Sequence, residues 1–556
     1  MADSEGGPSS LELLAGPRFQ NLTEAERTLL VSATKGEAAY CGPAGKGPSD
    51  PENATANACT WASSREIRAD LILWLCSDPD ANKLVHSKGL TVACAKVRGI
   101  LDFSSLAIRF PLIFFQCSFC SEIRALYSSL FFLSLERCVV RPGFKGGTAM
   151  LADSMHARAL NLRQSVFNGE VNLRAAEIDN NLECDGACFI NPAGTALSIN
   201  AARISGSVFL RNGFMSEGEV NLCGGTIGSL DCSSATLRPT SGRTLAVDDA
   251  RIERKVDLSG INATGVVSFV AAEIGSDLGL DSAVLSGATL RLERARIKGS
   301  LFVRRTHFGH DGFLDLSGAF AESIDDDAES WPTADHVDVD GFTYNYLRRP
   351  DEALRRLQLL ARQPMRGSGG SKQRVRAQPY RHLAKLLRDM GYERESRAAL
   401  VAFERERDRR EEFSTSEKFL RSLYRIALRY GYEPHKPAIV IAILVFVVGW
   451  IVVSLGSSAG LMVPISGLAR TKTLPPVPGG QLSPMLYSLD TFLPIHAFGQ
   501  EAGWWPAVES WRWCLCWPTR LPWGYLLRLW LCLQIVAGWV LTGLVVAGFA
   551  GIVRRE

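Results

Sequence analysis

The sequence lacks the short patterns that announce most chemistries. It has no G-x-G-x-x-G between a strand and a helix and no Walker A lysine, which excludes the usual dinucleotide and P-loop sites. Neither a G-x-S-x-G elbow nor an H-E-x-x-H occurs. Fourteen cysteines are present, but they are scattered and follow no zinc-ribbon or disulfide framework. Many unframed thiols fit a reducing, cytoplasmic setting for the bulk of the chain. The one C-x-x-C, Cys117 and Cys120, sits in FFQCSFCSEI, which reads as extended chain. A redox pair wants a helix N-terminus there, so these two read as small packed side chains. The opening MADSEGGPSSLELLAGPRF carries early acids and no apolar core, and predicts no secretory leader.

Net charge is also scarce: 61 basic and 58 acidic side chains leave +3. The balance conceals a polarity. Residues 1–340 hold 31 basic and 42 acidic groups, residues 341–436 hold 23 and 12, and residues 437–556 hold 7 and 4. Hydrophobic residues at 46% and charged residues at 21% exclude a largely disordered, collagen-like or mostly membrane-embedded chain.

Two stretches carry no charge at all. Residues 437–469 contain the run AIVIAILVFVVGWIVVSLG, and residues 529–553 read LWLCLQIVAGWVLTGLVVAGFAGIV. Each is long enough to cross a bilayer, and spans are expected at about 437–457 and 529–552. Arg421, Arg425, Arg429 and Lys436 precede the first and Arg554 and Arg555 follow the second, so the positive-inside rule predicts cytoplasmic termini in the inner membrane. Six of twelve tryptophans fall between Trp504 and Trp523. Trp504, Trp505, Trp511 and Trp513 are therefore expected at the membrane–water interface. YSLDTFLPIHAFGQ lies where a pore loop would, with Asp490 and His496 as its polar residues, although no TVGYG filter is present.

The middle of the chain repeats. Aligning on Ile178, Ile204, Ile227, Ile252, Ile274 and Ile297 gives spacings of 22–26 residues. Two before each anchor stands a small residue, Ala176, Ala202, Gly225, Ala250, Ala272 or Ala295. Five before stands a large apolar one, and after each comes an apolar pair two apart, such as Leu182/Cys184 or Val256/Leu258. The pair Leu230/Cys232 arrives one residue early, as a deletion in a turn would make it. Inward residues two apart mean short strands, and such a unit closes one turn of a coil whose strands stack in parallel. About nine coils are expected over residues 94–320.

These coils resemble the pentapeptide-repeat class of right-handed parallel β-helices with four short strands per turn, in a degenerate form without a strict A-(D/N)-L-x-x rhythm. The wider chain resembles bacterial membrane proteins that join such a helix to a helical segment and two C-terminal spans. The supporting stretches are VDGFTYNYL, QPYRHLAKLLRDMGYERESRAAL and YSLDTFLP. Relatives of that kind often carry the automatic label "membrane-associated oxidoreductase"; the resemblance brings no catalytic residues with it.

The coil ends need covering. Residues 1–93 predict an N-terminal helical cap, with Thr23 and Glu26 as a capping box. Residues 321–436 predict an acidic linker and a basic helical neck, with a hairpin similar to a tetratricopeptide unit over 380–410. The acids Asp325, Asp326 and Asp327 read as a solvated turn, and His307, His310 and Asp311 specify no third metal ligand. Three functions follow as expectations. The first is a membrane-anchored scaffold or sensor whose β-helix meets a protein partner in the cytoplasm. The second is an oligomeric membrane conduit, and the third the oxidoreductase of the family label, without a visible cofactor site. No cofactor, metal or nucleic acid is expected; the bilayer, a protein partner and other copies of the chain are.

Overall fold

A computed structural model of the chain describes residues 9–142, 147–239, 242–327, 329–332, 336–350, 353–361, 363, 374–418, 421, 435–464, 481–494, 498–507 and 523–549. The protein falls into two compact units, Met1–Arg366 with Arg376–Ser396, and Gly367–Val375 with Arg397–Glu556.

The first unit is a parallel β-solenoid of about 11 turns. At about 4.8 Å per turn the coils make a rod roughly 50 Å long. The isoleucine alignment is its register. Ile178, Ile204, Ile227, Ile252, Ile274 and Ile297 pair in sequence down one ladder. Leu182, Val208, Leu230, Val256, Leu278 and Leu301 form the next. The one-residue shortfall at Leu230 is taken up as a register shift, between Ile204 and Ser207, where the strand Arg203–Phe209 pairs with Thr226–Asp231 of the next turn. Every one of these side chains is at most 1% exposed, and the interior is filled.

The small residue two before each isoleucine has a local cause. Ala175, Ala201, Gly224, Asp249, Ala271 and Arg294 all lie at φ between 50° and 64°. The N–H of the next residue, Ala176 to Ala295, returns to the carbonyl three before it at 3.0–3.3 Å. A positive φ at the third position of a turn closed by that bond marks a type II turn. Five of these six corners are taken by residues with a Cβ, at a cost of about 1 kcal/mol each. Two of these corners are held further by an Asn oxygen that accepts the N–H two residues on, at Asn172 and Asn221, and the same bond forms at Asp231, Asp257 and Asp315 before other corners of the coils (2.9–3.1 Å).

The ladder reaches past residues 94 and 320. Ala38–Tyr40 and Glu66–Arg68 pair with Leu90–Ala93 and Lys96–Arg98 at one end. Val337–Asp338 and Thr343–Leu347 add the last strands at the other. The first end is covered by helices α1 (Ser10–Ala15), α2 (Glu24–Lys35), α3 (Ala69–Ser77) and α4 (Pro79–Leu84). The Thr23–Glu26 capping box forms on α2. Glu26 is fully buried and also accepts from the Arg68 backbone and guanidinium at 2.7–3.0 Å. Burial alone would raise its pKa, but the Arg68 hydrogen bonds and charge outweigh that and hold it below the usual carboxylate value.

At the other end lie α5 (Ala353–Leu360) and α6 (Gln378–Asp389). The side chains of Gln378 and His382 bind the backbone of the last strand at Tyr344 and of the turn before it at Gly341 and Phe342. The acidic run expected to be solvated is built into this end instead. Asp326 is 2% exposed and forms a salt bridge with Arg356, while Asp325 pairs with Arg304 and Arg349. Strand alternation turns alternate members of the run inward, where only arginine partners make their burial tolerable.

Helix α7 (Glu393–Arg410) follows α6. The second unit then contains α8 (His435–Ser458), α9 (Pro484–Phe492) and α10 (Trp523–Phe549), with Met462–Pro464 and Trp504–Pro506 paired antiparallel. Ile439–Ser458 and Trp523–Gly543 are each long and apolar enough to cross a membrane. Their side chains are largely uncovered: Leu444 is 61% exposed and Trp539 63%. The core helix of a soluble protein would instead be mostly buried.

Candidate functional site: a short helix held between two apolar helices

The most specific arrangement of polar groups lies where α9 inserts between α8 and α10. The sequence favours the insertion through glycine. A methyl group at Gly538 would overlap the Phe492 carbonyl, and one at Gly449 would overlap the Gln534 amide. Small residues at these crossings let the backbones approach closely.

Hydrogen bonds then join the three helices. The Ser488 hydroxyl donates to the Phe446 carbonyl of α8 at 3.2 Å. Gln534 of α10 donates from Nε2 to both the carbonyl and hydroxyl oxygens of Ser488 at 2.8 Å, and its Oε1 accepts from Trp530 Nε1 at 3.1 Å. Gln534 is 1% exposed and Ser488 fully buried. Apolar clusters sit above and below. Tyr487 clusters with Val453, Leu461, Leu527 and Leu531, and Phe492 with Leu541, a pair against which Ile441 and Ala442 pack.

Asp490, named from the sequence as a pore-loop residue, is 1% exposed. Its carboxylate accepts the N–H of Phe498 at 3.2 Å and of Glu501 at 3.1 Å. It thus fastens the chain that follows α9 back against the helix. Gln500 does the same from the other side, accepting the Ser483 N–H at 3.2 Å.

The other expected interface residues divide. Trp504 and Trp505 lie in the short strand Trp504–Pro506; Tyr487 donates to the Trp504 carbonyl at 3.3 Å, and Arg528 lies 5.1 Å over the Trp505 ring. Arg421 is held within the protein by Asp408 at 2.6 Å and Glu404 at 2.9 Å, and stacks over Phe413. Lys436 is the second residue of helix α8. Arg425, Arg429, Trp511, Trp513, His496, Arg554 and Arg555 lie outside the described residues. Gln534 and Ser488 were missed. The signal was there: Gln534 is the one amide in the uncharged run 529–553, and a strongly polar side chain in such a run is rarely incidental.

On the solenoid, register aligns Glu183, Phe209, Asp231, Asp257, Gly279, Phe302 and Asp325 in one outward row. Arg211 bridges Asp185 and Asp231, and Arg304 bridges Asp281 and Asp325. The Arg211 guanidinium also covers the Phe209 ring at 4.2 Å. Burial pushes the Cys117 thiol well up and raises that of Cys120, the opposite of what a redox pair needs. His310 is fully in solvent beside Asp311. Among the described residues no group of three or more His, Cys, Asp or Glu side chains is arranged to hold a metal ion.

No protein-family model matches this chain, and no curated protein matches it.

Proposed function

We propose that this protein is a membrane-anchored scaffold. Helices α8 and α10 hold it in a bilayer, and the solenoid presents a rigid outer face to a protein partner. The observation that carries the reading is the packing of the coils. Their interior is closed by side chains at most a few per cent exposed, so recognition by the solenoid takes place on its outside. There Glu183 and Asp257 offer half-buried carboxylates in the row, beside two arginine-covered phenylalanines, while Asp231 and Asp325 are buried against Arg211 and Arg304. Such a surface suits a partner with a basic, extended face, and electrostatic complementarity would set its orientation and on-rate.

The turn geometry and the Asp/Asn caps favour the pentapeptide-repeat class for the coils. The basic balance of residues 341–436 and the positive-inside rule favour cytoplasmic termini and an inner-membrane location.

Chemical cross-linking of the full-length protein in its native membranes tests the reading. Cross-links to a partner should concentrate on the Glu183–Asp325 row. They should be lost in Glu183→Lys/Asp257→Lys and kept in Glu253→Lys/Glu273→Lys, which alters a different face. Cross-links spread evenly over all faces, or equally reduced by both variants, would remove the scaffold function.

A further inference from the structure

We propose that the segment containing α9 is one wall of a water-filled cation path, formed where copies of this chain meet in the bilayer. The proposal rests on the reading that α8 and α10 span a membrane.

Depth comes first. Tyr487 packs at the level of Val453 and Leu527, near the ends of the two spans that face the loop. Ser488 bonds to Phe446 and Gln534, close to the middle of each span. Phe492 packs with Leu541 and sets its carbonyl against Gly538, towards the opposite end of α10. The tip of helix α9, whose nine residues span about 13 Å, therefore reaches past the middle of the apolar thickness. The chain must then climb back, because Trp504–Pro506 pairs with Met462–Pro464 just beyond the end of α8.

The described part of this climb, residues 498–503, is not helical. Phe498 and Glu501 give their N–H groups to Asp490, so their backbone lies within one side chain's reach of the α9 segment between Ser488 and Phe492. This irregular backbone is open on one side: Phe498 is 45% exposed, and Gly499 and Ala502 are exposed too. Hydrocarbon cannot satisfy such backbone, which is tolerated at membrane depth only against protein or along a water-filled cavity. Two spans cannot enclose a cavity by themselves. The open side is therefore completed by further copies, each contributing the same segment around shared water.

The sign of the permeant ion follows from charge. The C-terminal end of α9 points into the membrane, with the negative end of its dipole at the deep side. Asp490 adds a carboxylate beside it, bound by backbone N–H groups and by no described basic side chain. Both favour cations.

The test is potassium efflux from vesicles of phosphatidylcholine and phosphatidylglycerol carrying the full-length protein, with subunit number read by native mass spectrometry. The wild type should be multimeric and release potassium but not chloride. Asp490→Asn, which removes the charge and leaves one acceptor oxygen for the two N–H groups, should cut efflux at least about tenfold while the protein stays inserted and multimeric with an unchanged melting temperature. Ala502→Cys should add a site at which a charged, impermeant thiol reagent blocks efflux beyond its effect on the wild type. A monomer, a multimer without efflux, or a chloride leak in vesicles that retain the protein after an alkaline wash would overturn the path and leave the anchor standing. Loss of the protein in that wash would overturn both.

Discussion

The side-chain amide of Gln534 donates at 2.8 Å to both the carbonyl and the hydroxyl of Ser488, and that hydroxyl donates in turn to the Phe446 carbonyl. One amide thereby ties α10 to α9, and through it to α8. Gln534→Leu keeps the shape but removes the link. In a membrane such bonds contribute about 1 kcal/mol, so the variant should unfold a few degrees earlier in detergent. Gln534→Glu, which retains acceptor oxygens but loses the Nε2 donor, should be no better. A melting temperature unchanged in both variants would show that the glycine contacts alone hold α9.

The Glu26–Arg68 pair makes the N-terminal cap sensitive to acid. The folded pKa of Glu26 lies below its unfolded value, so its contribution is complete above the unfolded pKa of about 4.5 and is lost as pH falls through the folded one. Glu26→Gln should cost about 2 kcal/mol at pH 7, and the gap between variant and wild type should narrow below about pH 4. Thermal melts from pH 3 to pH 7 measure this; a gap independent of pH would contradict the assignment.

The corners of the coils carry removable strain. Ala271 and Arg294 adopt φ of 55° and 57°. Glycine accepts that conformation freely, offset in part by the extra freedom it gives the unfolded chain. Ala271→Gly and Arg294→Gly should each stabilise the solenoid by about 0.5 kcal/mol. Ala271→Val should destabilise it by more than that, since a β-branched residue fits poorly at positive φ. Circular-dichroism melts of the full chain separate the two directions.

Inside and outside of a strand should respond differently one residue apart. Ile252 is 1% exposed in the isoleucine ladder, and its neighbour Glu253 is exposed on the face. Ile252→Ala should cost about 3 kcal/mol, and Glu253→Ala less than about 0.5 kcal/mol. Equal costs would mean the register is shifted by one residue, which moves every side chain to the other face.

The solenoid was legible because its code is local and repeated. The isoleucine alignment predicts the pairing of Ile178 through Ile297 residue by residue, but the shortfall at Leu230 falls within the continuous strand Thr226–Asp231 rather than in a turn. The small residue before each isoleucine was visible as a pattern, but its cause, the positive φ of the residue in front of it, is not written in residue type: alanine, aspartate and arginine all occupy that corner. The first and last strands were less legible because Ala38–Tyr40 and Thr343–Leu347 pair without the repeat pattern. The acids at 325–327 show the limit of charge reading, since Asp326 is buried by an arginine thirty residues away. In the second unit the apolar runs were plain and Asp490 stood out as a charge between them. Its partners, the backbone N–H groups of Phe498 and Glu501, carry no sequence signature. Gln534 was visible, but its meaning depends on α9 lying against it.

The account's central claim is that α8 and α10 cross a bilayer with α9 drawn in between them. Exhaustive protease digestion of sealed vesicles carrying the full-length protein, followed by mass spectrometry of the peptides retained after an alkaline wash, tests it most directly. Three protected stretches are predicted: Ile439–Ser458, Trp523–Gly543 and, between them in sequence, Pro484–Phe492. Recovery of the two long stretches with Pro484–Phe492 digested would contradict the placement of α9, and loss of all three would contradict the membrane anchor itself.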